Sequence, residues 1–487
     1  MGAILESEKK QEVKTSSEKV QISSFTGDYE YFLKGYLFRL LGVAKDIDLV
    51  HVSQTRGKEY PPVSKKNGRI FFSASKKQYF SIDEKDIPFS DEDSIALASN
   101  IIGAFLLCSE YKYSNETEVY NHYRNENAKE QAYKLAIQDG ICQWIFGSTP
   151  AETRSKFFNL LEKWSVKTYE GKHVTLGFLV NPSSNLPEVL TFEELLSFLS
   201  DDSSAVLSDC IHSVLEVDKK CNLVGYHSIT EDLITLPSCD LNEKVPVRFI
   251  QTVQQFLPDK KGEAGSDKVG VFLLNNGDIL LVKNGSTRFV KRNLQWLNLS
   301  EPAFANALHT RFDLTVQEES TYNEMLKSVY ASVLDVSFSH TGGIIAIVQP
   351  GCIDELMKGE ILSPFDNLYI SEDEAKSLAS QLGQSLPSSE KTIRYKLLKQ
   401  LIAGHNFRTL DRKLRCELIA LDGACIIDAR QGTIYSFGAI IQNDSGSATG
   451  GRSAAAKKLS RYGIAIKIST DGYIDVFVNE ELVYSVK

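Results

Sequence analysis

The end of the chain limits the possible folds more than any other part. Cys416–Leu421, apolar from Leu418 on, reads as a strand that closes at Leu421-Asp422-Gly423-Ala424, and Cys425–Asp428 reads as another. A third, Thr433–Ile441, leads into Asn443–Gly451, where Gly446, Gly450 and Gly451 expose backbone and Ser445, Ser447 and Thr449 add hydroxyls. A helix then starts near Arg452 and runs to about Tyr462, where Gly463 ends it. Ile464–Ser469 and Tyr473–Val478 follow as strands hinged on Asp471-Gly472, and Leu482–Val486 is the last. Strands interrupted by a helix in this way predict an α/β fold with a C-terminal mixed sheet flanked by helices.

The rest of the chain reads as an N-terminal α/β region. Arg69–Ser73 and Val174–Val180 have strand character. Ser94–Cys108, Phe157–Trp164, Leu190–Leu199 and Ala205–Leu215 have helical spacing. Val269–Leu274 and Asp278–Lys283 flank Asn275-Asn276-Gly277, a hairpin signal. Met325–Val336 and Ser389–Ile402 predict helices, and Ile344–Val348 is continuously apolar, as in a strand covered on both faces. The boundaries predicted are a flexible tail over 1–27, a mixed α/β region over 28–150 and a second α/β region over 151–257. A linker or exposed loop over 258–267 then precedes a C-terminal domain over 268–487. No internal repeat is visible.

Composition narrows the function classes. A net charge of −9 argues against a broad nucleic-acid footprint but leaves room for a local basic pocket. The eight cysteines form no C-x-x-C pair, as expected of free thiols in a reducing cytoplasm. No apolar run approaches the roughly 20 residues that a membrane span takes. The residue pattern of 1–20 is polar, unlike a secretory signal. The expectation is a cytoplasmic protein with no membrane partner.

Two features carry chemistry. A carboxylate at a strand end, Asp422, can hold Mg²⁺ or Mn²⁺ or polarise a hydroxyl, and Gly423 permits a close backbone approach. Asp-Gly is also an ordinary tight turn in which the side chain only caps amides. The glycine-rich helix entrance offers free N–H groups and the positive end of the helix dipole to phosphate. Arg452 stands at that entrance, with Lys457, Lys458 and Arg461 after it. The G-x-x-x-x-G-K-[ST] pattern is absent, so this is not a Walker loop. A plain surface loop is the alternative.

Together these residues resemble the diadenylate cyclase domain family, the nucleotidyltransferase fold of the DNA-integrity scanning protein and the membrane cyclases. Asp422-Gly423-Ala424 matches that family's Asp-Gly-Ala motif, and Gly451-Arg452-Ser453-Ala454-Ala455-Ala456 partly matches its Gly-Thr-Arg-His-Arg-Ala-Ala. Thr341-Gly342-Gly343-Ile344-Ile345-Ala346-Ile347-Val348 echoes its T-G-A-L-I-V-I strand. The resemblance covers about 325–480, and 255–325 more weakly.

It implies a domain that binds ATP and condenses two ATP to cyclic di-AMP, through attack of a 3′-hydroxyl on an α-phosphate. Asp422, Gly423 and Ala424 would form the catalytic turn, with Asp422 also holding Mg²⁺ or Mn²⁺. Ser447, Thr449, Gly450, Gly451, Arg452, Ser453 and Lys457 would line the phosphate site. A homo-oligomer through the C-terminal domain follows from the face-to-face chemistry.

The family's His and second Arg are Ser453 and Ala454 here, and Leu421 replaces its usual His before the Asp. Each lost phosphate ligand removes about 1.5–3 kcal/mol of charge-assisted bonding. The alternative is therefore a catalytically degenerate sensor of ATP or a cyclic or linear dinucleotide, in prokaryotic signalling or anti-phage defence. Its N-terminal region would then contact a protein partner.

Other residues read more plainly. His340 is expected to be structural, Thr168–His173 an ordinary turn, and Cys425 a buried thiol without a base. Lys391, Arg394, Lys396 and Lys399 form a solvated basic helix face.

Overall fold

The computed structural model describes residues 28–486 except 54–60, 115–125, 182–186, 201–212, most of 229–267, 362–401, 403–404, 443–449 and gaps of four residues or fewer. The chain divides into two units. The first comprises Met1–Ile234 with Arg248–Asn298, and the second Thr235–Val247 with Leu299–Lys487. Among the described residues, no helix is long and apolar enough to cross a membrane.

Among its described residues, the N-terminal unit holds two large sheets besides a short two-stranded hairpin. A four-stranded antiparallel sheet runs in the order Val50–Ser53, Gln78–Asp83, Arg69–Ser75, Val63–Lys66. A seven-stranded sheet runs in the order Gln295–Asn298, Ser286–Arg292, Ile279–Lys283, Val269–Leu273, Leu176–Val180, Ser213–Val217, Leu223–Ser228. Long helices Glu92–Ser114 and Glu126–Phe146 accompany them, and Ala151–Ser165 precedes the Leu176 strand. Phe157, Phe158, Trp164 and Phe178 are wholly buried in the shared core, where large aromatic areas supply most of the driving force.

Residues 269–298 belong to this unit rather than to the C-terminal one. The reason is pairing: Val269–Leu273 runs antiparallel to Leu176–Val180, residue by residue. The helix predicted over Ala205–Leu215 is corrected at its end, where Ser213–Val217 is a strand. Pairing parallel to Leu176–Val180 overrides its helical spacing. The rest of that segment, 205–212, lies outside the described residues.

The C-terminal unit is a mixed sheet flanked by helices. Its strands are β1 (Gly343–Val348), β2 (Ala424–Asp428), β3 (Ile434–Ala439), β4 (Gly463–Ile468), β5 (Ile474–Val478) and β6 (Glu481–Val486). Its helices are α1 (Glu301–Leu308), α2 (Val316–Ser339), α3 (Ile353–Gly359), α4 (Arg412–Ala420) and α5 (Gly451–Leu459). The sheet order is β3-β2-β1-β4-β5-β6, with β1 and β2 parallel and every other pair antiparallel. All of β1 and β2 is buried, as suits the apolar sequence of Gly343–Val348 and Ala424–Ile427.

Local chemistry sets the helix ends. Thr315 and Glu318 form a capping box at the start of α2, each side chain accepting from the other's backbone N–H. Asp411 caps α4 by accepting from the N–H groups of Lys413 and Leu414. That cap explains a correction: Cys416–Leu421, predicted as a strand, is the last part of helix α4 and the turn after it. Asp422 therefore precedes strand β2 instead of closing one.

Candidate functional site

Strand register brings one set of residues to one end of the C-terminal sheet. Ile344 on β1 lies opposite Ala424 on β2, so Gly342-Gly343 and Asp422-Gly423 enter their strands side by side. Ala424 also faces Ala439, which brings the end of β3 to the same place. Gly343 faces Ile468, so Ser469 and Thr470 leave β4 there too.

The glycines allow this convergence. A Cβ on Gly343 would lie 2.2 Å from the Ile419 carbonyl oxygen, in the helix that leads to Asp422. Gly423 has φ 118°, and a Cβ there would lie 2.3 Å from the Gly438 carbonyl carbon. Side chains at either position would push the Asp422 turn off the sheet. Asp422 itself is exposed and forms no hydrogen bond or ion pair among the described residues. A second aspartate of the same strand shows the contrast. Buried Asp428, at the opposite end of β2, accepts from the backbone N–H groups of Arg430, Gln431 and Thr433 at 2.8, 2.8 and 2.6 Å. Asp428 is committed to a turn, and Asp422 is not.

Helix α5 supplies the positive side. It starts after Gly450, whose φ is 85° and which has no side chain of its own to cap the first turn. Arg452 is half-buried, and its Nη1 lies 3.0 Å from the point a Gly342 Cβ would occupy. The guanidinium thus rests against the entrance of β1. Among the described residues it pairs neither with Asp422 nor with any other group. A half-buried arginine without a partner retains its full capacity to bind an oxyanion.

The other predicted phosphate residues fare unequally. Gly450 and Gly451 form the helix entrance, and Ser453 is buried within its first turn. Lys457 is exposed, about 140° around the helix from Arg452 at 3.6 residues per turn. Lys458 is buried and donates to the Gln442 carbonyl at 2.6 Å, so it anchors the end of the segment after β3. Neither lysine supplies a second cation at the entrance. Ser447 and Thr449, like Ser445 and Gly446, lie outside the described residues, as does the basic helix of Lys391, Arg394, Lys396 and Lys399.

Among the described residues, no three of His, Cys, Asp and Glu cluster as a metal cage. Asp422 fits a different arrangement, in which a hard divalent ion takes one carboxylate and completes its shell with phosphate oxygens and water. Burial pushes the Cys425 thiol up to about 12, which rules it out as a thiolate nucleophile at neutral pH. His340 adopts a left-handed conformation, φ 54°, and ends α2. Thr168–Tyr169 and Lys172–His173 form a short hairpin.

Sequence reasoning missed several supports. Gly438, in the interior of β3, receives the Asp422 turn; glycine inside a strand is the signal that could have found it. Arg412 holds Asp335 with paired hydrogen bonds of 2.5 and 2.8 Å, tying the helix before Asp422 to α2. No local motif announces a partner 77 residues away.

No protein-family model matches the chain, and no curated protein matches it. Among solved structures, a crystal structure of a double mutant of DacA from Staphylococcus aureus is similar over 36% of this chain and 91% of that one. The two are 17% identical, with a TM-score of 0.19.

Proposed function

We propose that the C-terminal unit binds a nucleotide across the glycine-lined end of its sheet, with phosphate at the α5 entrance and a sugar hydroxyl toward Asp422. The observation that carries this reading is Arg452, a half-buried guanidinium at the start of α5 with no hydrogen-bond or ion-pair partner among the described residues. The unpaired carboxylate of Asp422 shares that end of the sheet and supplies a hydroxyl acceptor. ATP and a cyclic or linear dinucleotide both present the required phosphate and hydroxyl groups.

Binding without turnover is the first form of this proposal. Triphosphate chemistry needs several cations to hold developing charge, and among the described residues Arg452 has no neighbour in that role: Ser453 is buried and Lys458 is engaged elsewhere. The unit then acts as a nucleotide sensor of diadenylate-cyclase-like type.

The second form is condensation of two ATP, favoured by the exposed, uncommitted Asp422. Asp422 accepts a hydrogen bond from the 3′-hydroxyl of one ATP, which attacks the α-phosphate of another. The new P–O bond forms as the bond to the β-phosphate breaks and pyrophosphate leaves; repetition in the opposite sense closes cyclic di-AMP. Mg²⁺ or Mn²⁺ held by Asp422 and the phosphates would neutralise charge on the transferring group. This form requires two C-terminal units to face each other in a homo-oligomer.

Incubating the protein with ATP and Mg²⁺ or Mn²⁺, followed by mass spectrometry and a thermal melt, tests both forms. A melting temperature raised by ATP in the wild type but not in Arg452→Ala, without product, identifies the sensor. Cyclic di-AMP made by the wild type and not by Asp422→Ala establishes the cyclase. Neither binding nor product would remove the nucleotide reading.

A further inference from the structure

We infer that the chain carries one fold twice, and that only the second copy keeps a ligand cleft. The assignment of the cleft rests on the nucleotide reading above; the duplication rests on the two sheets alone.

Without its edge strand Gln295–Asn298, the N-terminal sheet has six strands, and so does the C-terminal sheet. Numbered by their order in the chain, both run 6-5-4-1-2-3 across the sheet. In both, strands 1 and 2 are parallel, Leu176–Val180 with Ser213–Val217 and β1 with β2. All other neighbours in both are antiparallel.

Details that strand order does not dictate also recur. Strands 4 and 5 meet as Leu273 opposite Ile279 in one sheet and Ile468 opposite Ile474 in the other. In the first hairpin the Leu274 N–H donates to the Asp278 carbonyl and the Gly277 N–H to the Leu274 carbonyl. In the second, Ser469 and Tyr473, then Gly472 and Ser469, make the same two bonds. Gly277 and Gly472 have φ values of 84° and 79°. Strands 5 and 6 meet with Lys283 opposite Ser286 and with Val478 opposite Glu481, the same spacing. Their register shifts after the third residue of strand 5 in each, at Leu281/Val282 and at Val476/Phe477.

The helix preceding strand 1 meets the hairpin glycine in both units. The Ser165 carbonyl oxygen lies 3.1 Å from the Cβ position of Gly277, and the Ser337 hydroxyl donates to the Gly472 carbonyl. Short hairpin loops are common and mean little alone. Strand order, the parallel pair, both hairpin spacings, the bulge and the helix contact are separate features, and all coincide.

Register then equates residues. Leu273 faces Leu176 where Ile468 faces Gly343, so Leu176 occupies the place of Gly343. Gly177 faces Val214 where Ile344 faces Ala424, so Ser213 occupies the place of Gly423. Both glycines that admit the Asp422 turn are thus replaced by residues with side chains. The N-terminal copy keeps the scaffold and lacks the two glycines that admit the Asp422 turn.

Native mass spectrometry and hydrogen exchange of the full chain, with ATP as the probe, test this inference. One ATP per chain is expected. Slowed exchange is expected in peptides covering 341–345, 420–425 and 450–455, with none over 174–178 or 213–216. Arg452→Ala should abolish both the adduct and the protection. A second ATP per chain, protection over the N-terminal pair of strands, or an adduct that survives Arg452→Ala would overturn the single cleft. Failure of the wild type to bind ATP or cyclic di-AMP would overturn the nucleotide reading and the single cleft together, an outcome distinct from the others.

Discussion

The two sheets differ most where their parallel strands begin. The N-terminal sheet places Leu176 and Ser213 there, whereas the C-terminal sheet places Gly343 and Gly423. Glycine in a strand costs about 0.5–1 kcal/mol relative to alanine, so the C-terminal choice does not favour stability. Charges follow the same division. Buried Glu216, Asp278, Lys291 and Arg292 of the N-terminal unit each have an ion-pair partner. Among the described residues, Asp422 and Arg452 of the C-terminal unit have none. One unit pairs these buried charges internally, while the other leaves two opposite charges uncompensated at a place its own glycines keep open. That difference teaches where to look for a ligand more directly than any motif.

The strongest way to break the comparison is to exchange the equivalent residues. Gly423→Ser should destabilise the C-terminal unit by on the order of 2–6 kcal/mol, from backbone strain at φ 118° and overpacking against Gly438. Ser213→Gly in the N-terminal unit should cost only about 0.5–1 kcal/mol. Urea denaturation of the two variants measures both, and equal losses would refute the equivalence.

Arg452→Ala should weaken ATP binding about 10- to 150-fold, matching the loss of charge-assisted bonds worth about 1.5–3 kcal/mol. Isothermal titration reads the affinity; the melting temperature without ATP should not change, because Arg452 has no partner to lose. Gly342→Ala should displace the same guanidinium and weaken ATP about three- to tenfold, a coupling of about 0.7–1.4 kcal/mol. In an Arg452→Ala background it should add nothing to the loss of ATP affinity, and additive losses would exclude the seating of Arg452 on Gly342.

The smallest effect lies in alkaline stability. The folded thiol of Cys425 is raised by burial from 9.0 to about 12, so the native state favours the neutral form. Its contribution is complete below the ordinary thiol value and is lost as pH rises through about 12. Burial also pushes Cys142 and Cys221 of the N-terminal unit well up. Iodoacetamide labelling resolved by peptide should therefore follow each unit separately. ATP should slow labelling of Cys425 and leave Cys142 and Cys221 unaffected.

Much of the C-terminal sheet was legible in sequence. Ile344–Val348 is apolar throughout, and Asp471-Gly472 marks the β4–β5 hairpin. Cys416–Leu421 misled because a short apolar run suits a strand or a helix end equally; Asp411, five residues earlier, held the deciding cap. Asp422, Gly423 and Arg452 were singled out from residue type and spacing as candidates. Gly342, Gly438 and the Asp335–Arg412 pair were not, since their roles exist only once distant segments meet. The duplication left no repeat in the sequence for a physical reason. Strand order and register constrain where side chains point, and many apolar residues satisfy the same position.

Lys458 has one more consequence. By gripping the Gln442 carbonyl from within α5, it pins the point where the chain departs after β3, close to where the helix takes it up again. Joining two fixed points through a longer stretch of chain is cheap, about 0.6 kcal/mol for each doubling. Insertions between Gln442 and Gly450 should therefore leave Arg452 and Asp422 in their places.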